Sequence, residues 1–200
     1  SKIIIDLRDN TGGYETAVQK IAGLFLGKDK VVMHKNYTSK KKDTDYTISN
    51  AYYDNFKDFV ILTNNYTASA SEVLTMALKE GLDNVTIVGT KTYGKGVMQS
   101  KFNISDGSSI KLTVAYWTSP NGTSINGEGI APDVEIENHK ALSFTGVNFE
   151  GESYKYDSVS TYTNIVQYAL DYLGYDIERF DGYFDYSTRD ALIEFREDNG

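Results

Sequence analysis

A short apolar run that ends in a pair of glycines and leads into a helical repeat constrains this chain more than any other feature. Lys2–Leu7 (KIIIDL) is apolar and β-branched, the pattern of a buried strand. Asn10-Thr11-Gly12-Gly13 breaks it, and Ala17, Val18, Ile21, Leu24 and Phe25 then recur at helical spacing over residues 15–26. A strand, a glycine turn and a helix predict an α/β unit. The pattern recurs. Phe59–Thr63 reads as a second buried strand, Asn64-Asn65 as a turn, residues 71–80 as a helix and Val85–Val88 as a third strand. Residues 31–57 are polar, rich in lysine and tyrosine, and predict two short strands with a long exposed loop. A loop follows Gly89 through Gly96, alternation over 110–117 predicts a further strand, Pro120-Asn121-Gly122 a turn, and 134–136 a last short strand.

The pattern then changes. Residues 1–140 read as the core, 141–158 as a linker, and 159–200 as a small helical module. In the module, Val166, Leu170 and Leu173 mark one helix, and Ala191, Leu192 and Phe195 another. A chain of 200 residues can bury enough surface to fold without disulfides. Cysteine is absent, which excludes a thiol nucleophile, a disulfide framework and cysteine-based zinc sites. The net charge of -8 is concentrated at the end, where residues 151–200 hold 4 Arg/Lys against 11 Asp/Glu. The one basic run, Lys40-Lys41-Lys42, reads as a solvated loop tip, so no nucleic-acid face is expected. No stretch approaches the roughly 20 apolar residues that span a bilayer, no signal peptide is visible, and Ser1 running directly into a strand reads as the start of an excised piece.

Three segments carry possible chemistry. Thr67-Ala68-Ser69-Ala70-Ser71-Glu72 links a strand to a helix. A serine there caps a helix well, and its hydroxyl is a weak nucleophile unless a base lies beside it. Gly94-Lys95-Gly96 sets one lysine between two glycines, 26 residues after Ser69. It lacks the spacing of a phosphate-binding loop, and by itself it reads as well as a surface loop. Gln99 could orient an amine through its carbonyl oxygen. The Gly12-Gly13 turn can present backbone N–H groups to an anion, or simply join strand to helix.

Together these segments resemble the C-terminal processing, or tail-specific, peptidases, the serine–lysine protease family S41. That family has an Asp-Leu-Arg strand end before a glycine-rich turn, as in Asp6-Leu7-Arg8 and Gly12-Gly13. It has a small-residue block ending in Ser-Glu, and an aromatic-Gly-Lys-Gly segment with glutamine four residues after the lysine. A fourth signature follows in Tyr116, Thr118-Ser119-Pro120-Asn121-Gly122, Ile125 and Gly127-Glu128-Gly129-Ile130-Ala131-Pro132-Asp133. The resemblance covers about residues 1–137. It implies an α/β core of βαβ units with a mixed sheet, of the ClpP/crotonase-like kind.

The resemblance implies Ser69 as nucleophile, with Ser71 the competitor because the spacing to the lysine is one residue longer than the family's. It implies Lys95 as general base, Gln99 holding its amine, and Gly13 with the Ala70 N–H as the oxyanion hole. A lysine base needs desolvation to lose its proton near neutral pH, so an apolar pocket within reach of Ser69 is expected around Lys95. Asp6 and Arg8 would shape the glycine turn, and Glu72 would favour the helix start. His34 and His139 are expected to be exposed bystanders, and no metal or cofactor is expected. The implied substrate is protein or peptide, cut near its C-terminus outside the cytoplasmic membrane; family members also carry a PDZ domain and upstream segments, neither of which precedes Ser1. Residues 159–200 resemble a peptidoglycan-binding module through Val166-Gln167, Leu170, Gly174-Tyr175, Asp181-Gly182-Tyr183-Phe184, Thr188 and Ala191-Leu192-Phe195, with its last helix expected to be missing. The alternative reading is a non-catalytic scaffold or wall-binding fragment that keeps the protease fold, and homo-oligomerisation is left open.

Overall fold

Alternation of strand and helix produces a parallel sheet in the first part of the chain. The computed structural model describes residues 1–49, 51–150 and 155–200. These divide into two units, Ser1–Ile136 and Glu137–Gly200.

In the first unit, β1 (Lys2–Asp6), β4 (Asp58–Thr63), β5 (Val85–Gly89) and β8 (Val134–Glu135) form one sheet in the order β1-β4-β5-β8, with every pair parallel. Helices α1 (Glu15–Leu26) and α2 (Ala70–Gly81) lie in the connections, as the βαβ pattern requires. A second sheet is antiparallel, with β2 (Val31–Tyr37), β3 (Lys42–Tyr46), β6 (Val97–Asn103) and β7 (Ser109–Thr118) in the order β3-β2-β7-β6. The parallel and antiparallel strands of this α/β fold are thus sorted into separate sheets. The core is the apolar cluster between them, built on Ile61, Ile87, Ala77, Leu78, Val32, Met33 and Trp117.

Two details differ from the expectations. β1 is an edge strand rather than a fully buried one, and Ile4 on its outer face is 67% exposed. β6 was not expected. Val-Met-Gln-Ser-Lys-Phe-Asn lacks clean alternation, and its register against β7 shifts between Met98 and Gln99. That bulge turns Gln99 relative to its neighbours, as bulges beside active sites commonly do.

The second unit holds a 3₁₀ turn (Lys140–Ser143), α3 (Thr161–Tyr172) and α4 (Tyr186–Asn199). Leu170, Ile177 and Ala191 form its core with Val166, Tyr175, Phe180, Leu192 and Phe195; Leu173, read as apolar-face, is exposed. Gln167 is fully buried and satisfied: its amide donates to Tyr183 O and Thr188 Oγ1, and its carbonyl accepts from the Gly182 N–H. Of the segment read as a linker, residues 141–150 belong to this unit, where Phe144 packs on Tyr168. Residues 151–154 lie outside the described residues.

Candidate active site

The turn that carries Ser69 is held by the glycine segment. Thr67 Oγ1 donates to Leu7 O at 2.7 Å, and the Ala68 N–H donates to Asn10 O at 3.0 Å. Asn64 Oδ1 accepts from the Asp9 N–H at 3.0 Å. Gly12 has φ +104°, and a Cβ there would lie 2.7 Å from Ala68 O and 2.9 Å from Ala70 N. Only glycine fits so close a contact at that backbone angle. Arg8 grips Asp6 with two guanidinium bonds and holds its carboxyl below the ordinary value, which stiffens the strand end ahead of the turn.

Ser69 is the N-cap residue of α2, and its backbone is unusual, with φ 57° and ψ -119°. That region is costly for a residue with a Cβ, and such strain concentrates at functional sites. The Gly13 and Ala70 N–H groups, which flank this point, donate to no backbone or side-chain acceptor among the described residues. Ser71 is buried, and its carbonyl accepts from Thr75 Oγ1.

Glu72 joins the serine to the lysine segment. Its side chain is fully buried with no cationic partner among the described residues, yet both oxygens are satisfied. Oε2 accepts from the Ser69 N–H at 2.8 Å and the Lys95 N–H at 2.9 Å; Oε1 accepts from Thr92 Oγ1 at 2.6 Å and the Gly94 N–H at 2.7 Å. One carboxylate thus sets the spacing between the two segments. Gly94, at φ +87°, lies where a Cβ would meet Gly129 N at 2.7 Å, which packs the loop against the Gly127–Gly129 turn. Trp117 Nε1 donates to Lys95 O at 3.0 Å from the far side.

A cavity of about 250 Å³ opens in front of these groups. Gly13, Ser69, Ala70, Lys95 and Gln99 all line it, with Val18, Val32, Met33, Val73, Met98 and Trp117 as its apolar wall. Lys95 is half-buried and Gln99 exposed. No hydrogen bond joins Lys95 Nζ to Ser69 Oγ or to Gln99 among the described residues. Catalytic hydrogen bonds are often long in the absence of substrate and tighten when it binds. Ser71 does not line this cavity.

A second set of charges stands on the rim. Lys35 Nζ, almost wholly buried, pairs with Asp45 at 2.6 Å and Glu15 at 3.3 Å, and Glu15 lines the cavity. Burial alone would lower the Lys35 ammonium, but the Asp45 and Glu15 carboxylates outweigh it and hold it above the usual lysine value. Burial raises the Glu15 carboxyl; the Lys35 ammonium opposes this, Asp45 adds to it, and the net shift is upward.

The five expected site residues therefore come together. The histidines are not the exposed bystanders expected. His34 is half-buried between Thr44 Oγ1 and Pro120 O, and His139 is half-buried against Asp171 at 2.8 Å; neither lines the cavity. Sequence reasoning gave Glu72 only a helix-start role and missed Trp117, Lys35 and Asp45. Three of these four are charged residues buried against expectation, and only a contact map reveals their partners. No group of three or more metal-ligating side chains occurs among the described residues, and no helix there is long and apolar enough to cross a membrane.

Comparison with known proteins bears on this arrangement. The family model described as "Peptidase family S41" matches residues 1–136, and that of a "Putative peptidoglycan binding domain" matches residues 163–200. A probable CtpA-like serine protease of Staphylococcus haemolyticus is 33% identical over 98% of this chain and 39% of its own length. One from Staphylococcus epidermidis is 36% identical over 98% of this chain and 40% of its own length. The chain thus spans about two-fifths of these relatives. Among solved structures, the photosystem II D1 C-terminal processing protease matches with TM-score 0.61 and 33% identity, over 68% of this chain and 34% of that one. A putative S41 protease from Bacteroides fragilis, at 23% identity and TM-score 0.61, covers 72% of this chain and 39% of its own, and shares the fold.

Proposed function

Because the chain belongs to peptidase family S41, we propose that it carries the catalytic centre of a serine endopeptidase of the C-terminal processing type, acting on proteins outside the cytoplasmic membrane. The observation that supports this most is the single cavity lined by a strained Ser69, two free N–H groups, Lys95 and an apolar wall.

The chemistry follows from those positions. In this reading the Lys95 amine is the general base and takes the Ser69 proton as Oγ attacks the substrate carbonyl. The developing oxyanion is received by the Gly13 and Ala70 N–H groups, helped by the positive end of α2. The Lys95 ammonium then protonates the departing amine, and water repeats the sequence on the acyl-enzyme. Gln99 orients the Lys95 amine through its carbonyl oxygen. Lys95 reaches Ser69 by rotation of its flexible side chain, while Glu72 keeps both backbones still.

The test is labelling by a fluorophosphonate and cleavage of a quenched peptide. Ser69→Ala should remove labelling and lower cleavage by at least about a thousand-fold, and Lys95→Ala should do nearly the same. Labelling that survives Ser69→Ala, or that moves to Ser71, retires this dyad. Residues 1–140 would be the protease core, and residues 159–200 would bind peptidoglycan, a reading supported by the module match; failure of the whole chain to sediment with purified peptidoglycan would remove it.

A further inference from the structure

Lys95 has two faces. Besides the cavity already described, it lines an open groove of about 560 Å³ together with Thr11, Tyr66, Ala68, Tyr93, Gly94, Val97, Gln99, Asn126 and Gly127. Three separate chain segments pass from groove to cavity at the same place. Thr11 faces the groove and Gly13 the cavity; Ala68 faces the groove and Ser69 and Ala70 the cavity; Gly94 faces the groove while Lys95 borders both. The crossing point in all three is the reacting position. A peptide lying along both depressions would have its scissile bond at Ser69.

Chemistry gives the direction. The oxyanion donors Gly13 and Ala70 belong to the cavity, so the acyl residue sits there. The departing amine takes its proton from Lys95, so the chain that leaves lies on the other side of Lys95. That side presents two tyrosines, Tyr66 and Tyr93, 60% and 66% exposed. They sit on neighbouring segments tied by the Tyr93 N–H donating to Thr67 O at 3.0 Å. Among the described residues no carboxylate lines the groove. Exposed tyrosine rings beside a reacting centre offer contact area at little entropic cost.

Resting on the serine-peptidase reading above, we propose that this groove is the leaving-group subsite, and that Tyr66 and Tyr93 select an aromatic or branched aliphatic residue immediately after the scissile bond. The two tyrosines act on specificity, not on the chemical step.

The experiment uses quenched peptides that differ only after the scissile bond, with Phe, Leu, Gly or Asp there. The native chain should favour Phe and Leu over Gly by roughly ten-fold or more in kcat/KM, the range a single apolar pocket delivers. Tyr66→Ala and Tyr93→Ala should each shrink that ratio, Tyr66→Phe and Tyr93→Phe should keep it, and the distant control Tyr46→Ala should leave it alone. An unchanged ratio in both alanine variants overturns the proposal. A second measurement does not depend on turnover: the Ser69→Ala chain is titrated with a product peptide bearing an N-terminal Phe and followed by amide chemical shifts. Shifts at Gly94, Asn126 and Gly127 support the groove; shifts confined to Val32 and Met33, or none at millimolar peptide, overturn it. Loss of the dyad reading shows instead as cleavage that survives Ser69→Ala, whatever the groove does.

Discussion

Two arrangements of buried charge flank the same cavity and solve the burial problem differently. Glu72 has no counter-ion among the described residues and is satisfied by four donors, three of them backbone N–H groups. Lys35, Asp45 and Glu15 have counter-ions, but Asp45 Oδ2 has no hydrogen-bond partner among the described residues. The first fixes a geometry, because each of its bonds is made to the serine segment or the lysine segment. The second sets a charge, because its net sign depends on the protonation of a group on the rim. Hydrogen bonds to backbone carry positional information that an ion pair between flexible side chains does not.

Breaking the Glu72 arrangement should have the largest effect. Glu72→Ala leaves the Ser69, Gly94 and Lys95 N–H groups without their acceptor. At about 1–3 kcal/mol for each buried orphan, the loss should be on the order of 4 kcal/mol, seen as a lower denaturation midpoint. Glu72→Gln keeps two of the acceptor positions and replaces others by donors, so it should fall between. The comparison sharpens if activity drops further than stability explains. A folded Glu72→Gln chain with native labelling of Ser69 would show that the carboxylate is only structural.

Lys35→Met comes next. It strands Asp45 in a site that is nine-tenths buried, and loss of one partner of a buried pair costs about 3 kcal/mol. The double variant Lys35→Met/Asp45→Leu should recover most of that loss, since a well-packed apolar pair replaces a buried ion pair at little cost. A thermal melt of both variants checks this. If the double variant melts no higher than the single one, the ion pair specifies packing that apolar side chains do not replace.

How far the sequence carried these features follows from their range. The TASASE block, the GKG segment and the Gly12-Gly13 turn are contiguous, and each could be read where it stood. Their assembly around one cavity rested on the resemblance, because nothing local joins residue 13 to 69 and 95. Glu72 shows the limit: a favourable charge at the helix start was anticipated, while its bonds to Thr92, Gly94 and Lys95, which span 20 to 23 residues, were not. Lys35 and Asp45 sit in a polar segment that reads as exposed, and only the β2–β3 register, with Asp45 diagonal to Lys35, buries them together. The isoleucines of β1 failed differently, since a run of three reads the same whether one face is covered or both.

The smallest effect is the one on Glu15, and it tests the second arrangement by pH. Its folded carboxyl sits above the ordinary value, chiefly through burial, with Asp45 adding to it and Lys35 opposing. The folded chain therefore holds that proton more tightly than the unfolded chain does. This contribution to stability is complete below the unfolded value of about 4.3 and is lost as pH rises through the folded one. At neutral pH the charged form is a net burden, so Glu15→Gln should melt slightly higher than the native chain. The side chain is 44% exposed, so solvent screening keeps the gain small. The difference should close as pH falls toward about 4, where the native carboxyl is protonated too. A gap that stays constant across that range, or one of opposite sign at neutral pH, would mean that the Lys35 ammonium, and not burial, governs the charge on the cavity rim.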